Sequence, residues 1–506
     1  MSDTDSTATP TPMGSAGVPT QGKSLYHTIR MPKGDTVFDG TADTPDDKWI
    51  KRRPEMVRLT GKHPFNSEPP LTLIKESFYT PQELLYVRTH GDTPQLDEKT
   101  HSVKVDGLVS KPLTLSVEQI KQFSKTDISM VMVCAGNRRK EQNMIKQTVG
   151  FNWGPTGCGN VIWTGCLLRD VLLHCGVDTE EARHVCFVGA DKLAHDHYGT
   201  SIPMSKVMDP EGGVLLAWEC NGEPLLPDHG YPIRVVMPGY IGGRAVKWLT
   251  NISVSKEQST NYYHYRDNKV YPSHVDQQNV GPEGWWEDNT WCINDLNVNG
   301  AITNILHQQT HDISKPLKLS GYAYSGGGHR IIRPEVSIDG GKTWKMATIT
   351  VEPKTQYGRT YEWSFWETEV QLTPSTEQIC FRAWDDAMNV MPDRPNWTLM
   401  GMLNNSWYRI QVTKKAANTV ELGLPHWAHK DAPNHPLNVL KAPHITDTLG
   451  GPTSTTTTTT TPAASASKGG AAPAVAPSVA LMGGMAVTCS LAAGLLGFAL
   501  AQRKTV

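Results

Sequence analysis

The sequence predicts an α+β domain, then a small β-sandwich of immunoglobulin-like architecture, then a C-terminal transmembrane helix. Three observations carry this reading. Residues 56–296 mix short β-branched runs with helical patterns. Residues 297–415 alternate polar and apolar side chains in segments such as LKLSGYAYS, YEWSFWETEVQL and QICFRAWD. Residues 478–501 hold no charge over 24 positions, about the length that crosses a hydrocarbon layer as a helix.

Taken in order, residues 1–55 are polar and rich in Thr, Pro, Gly and Asp, the texture of a flexible leader. They lack the apolar run of a signal peptide. In the sandwich, SIDGGKTW places Asp339 and Gly340 between two alternating runs, a strong hairpin signal. Residues 416–477 read as an extension and a linker, because PTSTTTTTTTPAASASKGG cannot build a core. An apolar helix behind such a linker has nothing to pack on, so 478–501 reads as a single-pass tail anchor with the body facing the cytosol. The basic QRKTV end is compatible with the mitochondrial outer membrane, the peroxisome or the endoplasmic reticulum.

With 48 basic against 50 acidic residues, the charge gives no reason to expect a nucleic acid as partner. Nine cysteines are scattered without a CxxC pair, which argues against zinc ribbons, iron–sulfur clusters and a disulfide framework.

The most informative stretch is ISMVMVCAGNRRKEQN, residues 128–143. A β-like run ends at Cys134, Ala135–Gly136–Asn137 can turn sharply, and Arg138 and Arg139 follow. Guanidinium groups beside a thiol at a strand end lower its pKa, and the resulting thiolate binds soft metals. The competing reading of Cys134 is a small core residue.

CAGNRRKEQN, together with RLTGKHPFNSEPP (58–70), YVRTHG (86–91), PDHGYPIRVVMPGYIGGRAVKWL (227–249) and YHYRDNKVYPSHVD (263–276), resembles the molybdenum-cofactor domain of eukaryotic sulfite oxidases and nitrate reductases. The resemblance covers about residues 56–415 in the family's order. It implies a molybdopterin-binding domain over 56–296, an immunoglobulin-like dimerisation domain over 297–415, and hence a homodimer.

It also implies roles. Cys134 is the protein ligand of molybdenum. Tyr86, Val87, Arg88, Thr89, His90, Asp191, His229, Arg234, Ala245, Val246 and Lys247 hold the pterin and its phosphate. Arginine and lysine suit a phosphate because they give cationic, directional donors. Arg88 and Arg139 converge on the metal face to attract a small oxyanion, with Trp153 as the pocket tryptophan. Taken alone, Asp228 and His229 before Gly230 would more often be turn residues.

Asn268 and Met400 bear on the substrate. Sulfite oxidases that resemble this chain place Tyr and Arg there, whereas nitrate reductases place Asn and Met. Less positive charge suits singly charged nitrate. Against this stands the domain inventory: no HPGG haem motif and no GxGxxG fingerprint occurs, so no haem, flavin or nicotinamide site is expected in this chain. The inventory tips the expectation to oxidation of sulfite to sulfate, with nitrate reduction through a separate reductase as the alternative and a non-catalytic membrane-tethered scaffold as the third. The electron partner stays open. Thr89 for the usual Asn, and GPTGCGNVIWT (154–164) for the family's run of small and hydroxyl residues, depart from the pattern, and Cys158 within it reads as a small filler.

Overall fold

A computed structural model describes residues 49–60 and 64–423. The first domain is built on two five-stranded sheets. One runs Glu223–Pro224, Leu215–Cys220, Cys158–Leu167, Lys125–Val133, with Arg234–Val236 also on Leu215–Cys220. The other runs Leu113–Ser116, Ser102–Gly107, Leu249–Ser255, His184–Gly189, Gly199–Pro203, and Leu249–Ser255 is parallel to Ser102–Gly107 while its other pairings are antiparallel. The strand Cys158–Leu167 is almost wholly buried along its length, so both its faces are covered and its sequence does not alternate polar and apolar.

Helices are scarcer than the sequence suggests. The longest α-helix of the domain is Leu168–His174, and the others are Val117–Ile120, Arg139–Asn143, Met204–Met208 and Tyr262–Tyr265. The domain is mostly β, and the α+β expectation is corrected to that extent. The physical reason is punctuation: prolines and glycines spaced through residues 56–296 interrupt the apolar periodicity before a helix can repay its nucleation cost.

The second domain is the expected sandwich. A four-stranded sheet (Asn299–Ile302, Leu317–Tyr324, Ser364–Val370, Thr348–Val351) faces a six-stranded one (Gln309–Asp312, Thr419–Gly423, Tyr408–Lys414, Gln378–Asp385, Ile331–Ser337, Lys345–Met346). Their inner faces share one core, in which Trp366 stacks on Phe381 with ring centroids 4.4 Å apart. The hairpin at Asp339–Gly340 is present: Val336 pairs with Lys345, and Gly340 and Gly341 take φ of 74° and 90°, where glycine is favoured.

Two boundaries move. Thr419–Gly423 completes the six-stranded sheet, so the sandwich extends past residue 415. The end of the leader is docked: Ile50 is buried, and Arg52 forms an ion pair of 2.7 Å with Asp228. No helix of the described residues is long and apolar enough to cross a membrane, and residues 478–501 lie outside the described residues.

The domains interlock beneath the Cys134 strand. Arg138 donates to Asn299 Oδ1 at 2.8 Å, and Trp363 Nε1 donates to the Phe78 carbonyl at 3.0 Å.

Candidate active site

Cys134 follows directly on the strand Lys125–Val133, whose register against Cys158–Leu167 ends at Val133–Cys158. There the chain leaves the sheet, held by Cys134 N–H to Gly157 O at 2.9 Å and turned by Asn137 N–H to Cys134 O at 2.8 Å. Gly136 is required by space: a Cβ there would lie 2.7 Å from an Arg139 guanidinium nitrogen and 2.8 Å from Trp153 Cδ1. Arg138 then takes a φ of 65°. The turn throws the two arginines to opposite sides. Arg138 is fully buried on Glu141, with bonds of 2.8 and 2.7 Å. Arg139 faces the cavity, its Nε donating to Met400 O at 3.0 Å and Gly401 O at 3.2 Å.

The loop that departs from the family pattern is fastened from far away in sequence. Glu68 accepts from Gly154 N–H at 2.7 Å and Thr156 N–H at 3.3 Å. Burial pushes its carboxyl up to about 7. Cys158 is buried in the core, as the filler reading holds.

A cavity of about 890 Å³ opens beside Cys134. Of the residues singled out by sequence, Tyr86, Arg88, Thr89, His90, Cys134, Arg139, Asp191, His229, Arg234, Ala245, Val246, Lys247 and Asn268 all line it. At one end Arg234 donates to the carbonyls of His229 (2.8 Å) and Ala245 (3.0 Å), and Lys247 Nζ donates to the carbonyl of Asp228 (2.9 Å). Their donors end on no carboxylate: the Asp228 side chain is engaged by Arg52 and Thr93, and Asp228 and Asp191 act on Lys247 only through space. Burial therefore pushes Lys247 down to about 7, Arg234 down to about 10 and His229 down to about 3. Buried cations that end on carbonyls complement an anion, and a pterin phosphate fits that end. Burial also raises the Asp191 carboxyl, against the pull of His90 and Lys247.

At the other end a second cavity of about 710 Å³ shares Arg88, His90, Arg139, Asp267 and Met402 with the first and adds Met400, Phe151, His195, Tyr262, Tyr263 and Arg266. His90 Nε2 lies 2.9 Å from Arg88 and 3.1 Å from Asp267 Oδ2. Burial works to raise the Asp267 carboxyl, but His90 and Arg88 together hold it well below the usual carboxylate range. Asn268, at φ 53°, donates to Tyr198 Oη at 3.3 Å.

Three expectations are corrected. Trp153 is fully buried and lines neither cavity; it packs edge-on to Tyr86, centroids 5.7 Å apart, and supports the pocket from below. Val87 is also outside the cavity lining, its backbone exchanging bonds of 2.9 and 3.0 Å with Ser67, while its neighbours point the other way along the extended chain. The thiol is not lowered by two flanking arginines. Burial raises the Cys134 pKa, opposed by Arg139 and Arg88, because Arg138 is turned away onto Glu141. A metal would have to displace that proton itself. Met400 lines only the second cavity, the outer one by the exposed Ala194 and His195 on its rim.

Asp267, Tyr198 and Arg266 were missed by sequence reasoning, although Arg266 and Asp267 adjoin Asn268 in the RDN stretch. Among the described residues no three His, Cys, Asp or Glu side chains gather into a metal site. A metal at Cys134 would therefore need further donors from a cofactor, which suits the soft thiol and the neighbouring phosphate-type end.

The model of the oxidoreductase molybdopterin binding domain matches residues 90–263, and that of the Mo-co oxidoreductase dimerisation domain matches residues 290–415. The chain belongs to the sulfite oxidase and nitrate reductase family. Relatives of this family include nitrate reductase [NAD(P)H] of Hordeum vulgare, 46% identical over 421 residues, which are 80% of this chain and 47% of that protein. Nitrate reductase [NADPH] of Phytophthora infestans is 46% identical over 383 residues, 73% of this chain and 42% of that one. This chain spans about half the length of the curated relatives it matches or less. Among solved structures, the sulfane dehydrogenase SoxCD from Paracoccus pantotrophus superposes with a TM-score of 0.59 at 25% identity, over 82% of this chain and 99% of that one.

Proposed function

We propose that this chain is the molybdenum domain of an oxidoreductase that reduces nitrate to nitrite. The observation that carries the reading is its 46% identity to nitrate reductases over four-fifths of its length. This reverses the expectation of sulfite oxidation. That expectation rested on electron-transfer domains missing from the sequence, and an inventory taken over half the length of those relatives has no weight. Asn268 and Met400, which line the cavities where sulfite oxidases place Tyr and Arg, support the same choice.

Reduction consumes two electrons and two protons for each nitrate converted to nitrite and water. The molybdenum group, when bound, supplies the two-electron oxygen-atom chemistry. The chain supplies the rest. Cys134 gives a thiolate ligand at the end of a rigid strand. Arg234, Lys247 and His229 hold the pterin phosphate end. Arg88 and Arg139 orient the oxyanion by charge-assisted hydrogen bonds in a partly dehydrated cleft. Asp267 fixes His90, and His90 fixes Arg88. Without an arginine at position 400 the pocket carries less positive charge than a dianion would favour.

The sandwich domain supports a homodimer, and residues 478–501 a membrane tail; comparing a tagged full-length chain with one ending near residue 450 by microscopy tests the latter. For catalysis, purified protein is assayed with nitrate and reduced viologen, and with sulfite and ferricyanide. Nitrate turnover is expected, and turnover of sulfite alone overturns the reading. A protein that gains no molybdenum in a cofactor-competent host would instead be a scaffold.

A further inference from the structure

The outer cavity contains a third arginine. Arg266 caps the short helix Tyr262–Tyr265 and lines the outer cavity with Arg88 and Arg139, but it does not reach the inner one. Asp267 is the single carboxylate among the described residues lining that cavity, and it is held by His90. The entrance therefore offers three guanidinium groups against Asp267, held by His90, and Glu287, paired with Arg266, which leaves a net positive balance toward an anion.

Arg266 is bonded in a way that allows exchange. One of its terminal nitrogens donates to Glu287 Oε1 at 2.9 Å, and the side chains are 34% and 64% exposed. An ion pair so exposed is screened by water and contributes little, so another anion can replace the carboxylate at small cost. The Trp286 ring, its centroid 5.2 Å from the guanidinium carbon, holds the cation in place meanwhile. Across the same entrance His195 stacks on Tyr262, ring centroids 3.9 Å apart.

We propose that Arg266 is the outer capture residue for the oxyanion, and that Glu287 competes with the incoming anion for its guanidinium. This rests on reading the outer cavity as the substrate entrance. Arg266 acts before the chemistry, so its effect falls on binding and its salt dependence more than on kcat.

The test measures nitrate binding by calorimetry and nitrate turnover with reduced viologen, each at low and at physiological ionic strength, in the holoenzyme. Arg266→Gln is expected to weaken binding and raise KM about three- to tenfold and to flatten the salt dependence, as rim charges do. Glu287→Gln is expected to shift both the opposite way, about twofold, by freeing the arginine. Arg266→Lys should recover part of the loss. Should Arg266→Gln lower the melting temperature, Glu287→Gln carries the test with its opposite sign. Unchanged binding and KM in both glutamine variants overturns the capture role while leaving nitrate reduction intact. Binding that follows the charges in an enzyme that reduces no nitrate upholds capture and overturns the functional reading. A wild type that neither binds nor reduces nitrate overturns both.

Discussion

In the sandwich, Glu335 receives Arg333 Nε and Arg382 Nε, each at 2.7 Å, and Trp384 Nε1 at 3.0 Å. In the candidate cofactor cavity Arg234 is buried and Lys247 half-buried, yet their donors end on backbone carbonyls. The contrast separates two uses of a cation. Where a buried carboxylate accepts from the guanidinium groups, the cluster holds the fold together; where the donors end on dipoles, positive charge is left over that complements an anion. Arg138 and Arg139 repeat the contrast in adjacent residues, the first closed on Glu141 and the second open to the cavity.

Five variants would break or sharpen this comparison. The largest effect is expected from Cys134→Ser, which should abolish turnover and bring molybdenum content down to background in metal analysis. If metal-centred turnover survives, Cys134 is not the ligand. Next, Lys247→Met or Arg234→Met should lose cofactor, because a charge-assisted bond contributes about 1.5–3 kcal/mol, roughly ten- to a hundredfold in affinity. The cofactor-free variants should melt no lower than the parent, since an uncompensated buried cation has been removed. Glu335→Gln should behave in the opposite sense. It should destabilise the fold by about 1–2 kcal/mol in denaturant unfolding, because the partly exposed guanidinium groups lose a charged acceptor but regain water, while pterin content stays constant.

Smaller still is Met400→Arg, which adds charge to the outer cavity and should lower the KM for sulfite. The packing cost at a buried position is about 1–3 kcal/mol. An unchanged sulfite KM would remove the electrostatic account of that position.

The smallest effect is a pH slope. Lys247 is held near 7 in the fold by burial, below its unfolded value of 10.5. Between those values the unfolded chain binds the extra proton, so stability of the cofactor-free protein rises with pH over that window and is lost as pH falls toward 7. Unfolding at pH 7, 8 and 9 should show a slope in the parent exceeding that of Lys247→Met, by at most about 1.4 kcal/mol per pH unit. An equal slope in both would show that Lys247 is not buried as a lone cation.

The sandwich was legible because alternation and the SIDGG turn are local properties, and the strands near 317–324, 331–337, 364–370 and 378–385 follow them. The residues expected to hold the cofactor came from motifs, and most of them line one cavity. The helices of the first domain were over-read, because a buried strand such as Cys158–Leu167 has no alternation to distinguish it from a helix. The side-chain directions of Arg138 and Trp153 were not legible at all, since both depend on a turn at Gly136 that wraps against residues far off in the chain.

What the amino-acid order determined alone is the chemistry available: a thiol at a strand end, arginines and a lysine spaced through four short motifs, and a hairpin-rich second domain. Those follow from residue type and from period over a few positions. Only the tertiary structure decided which cation is closed and which is open. Glu141, Glu68 and Arg52 each cancel or anchor a group that sequence distance alone could not assign. Charge compensation acts over a few ångströms, and those ångströms are measured in space, not along the chain.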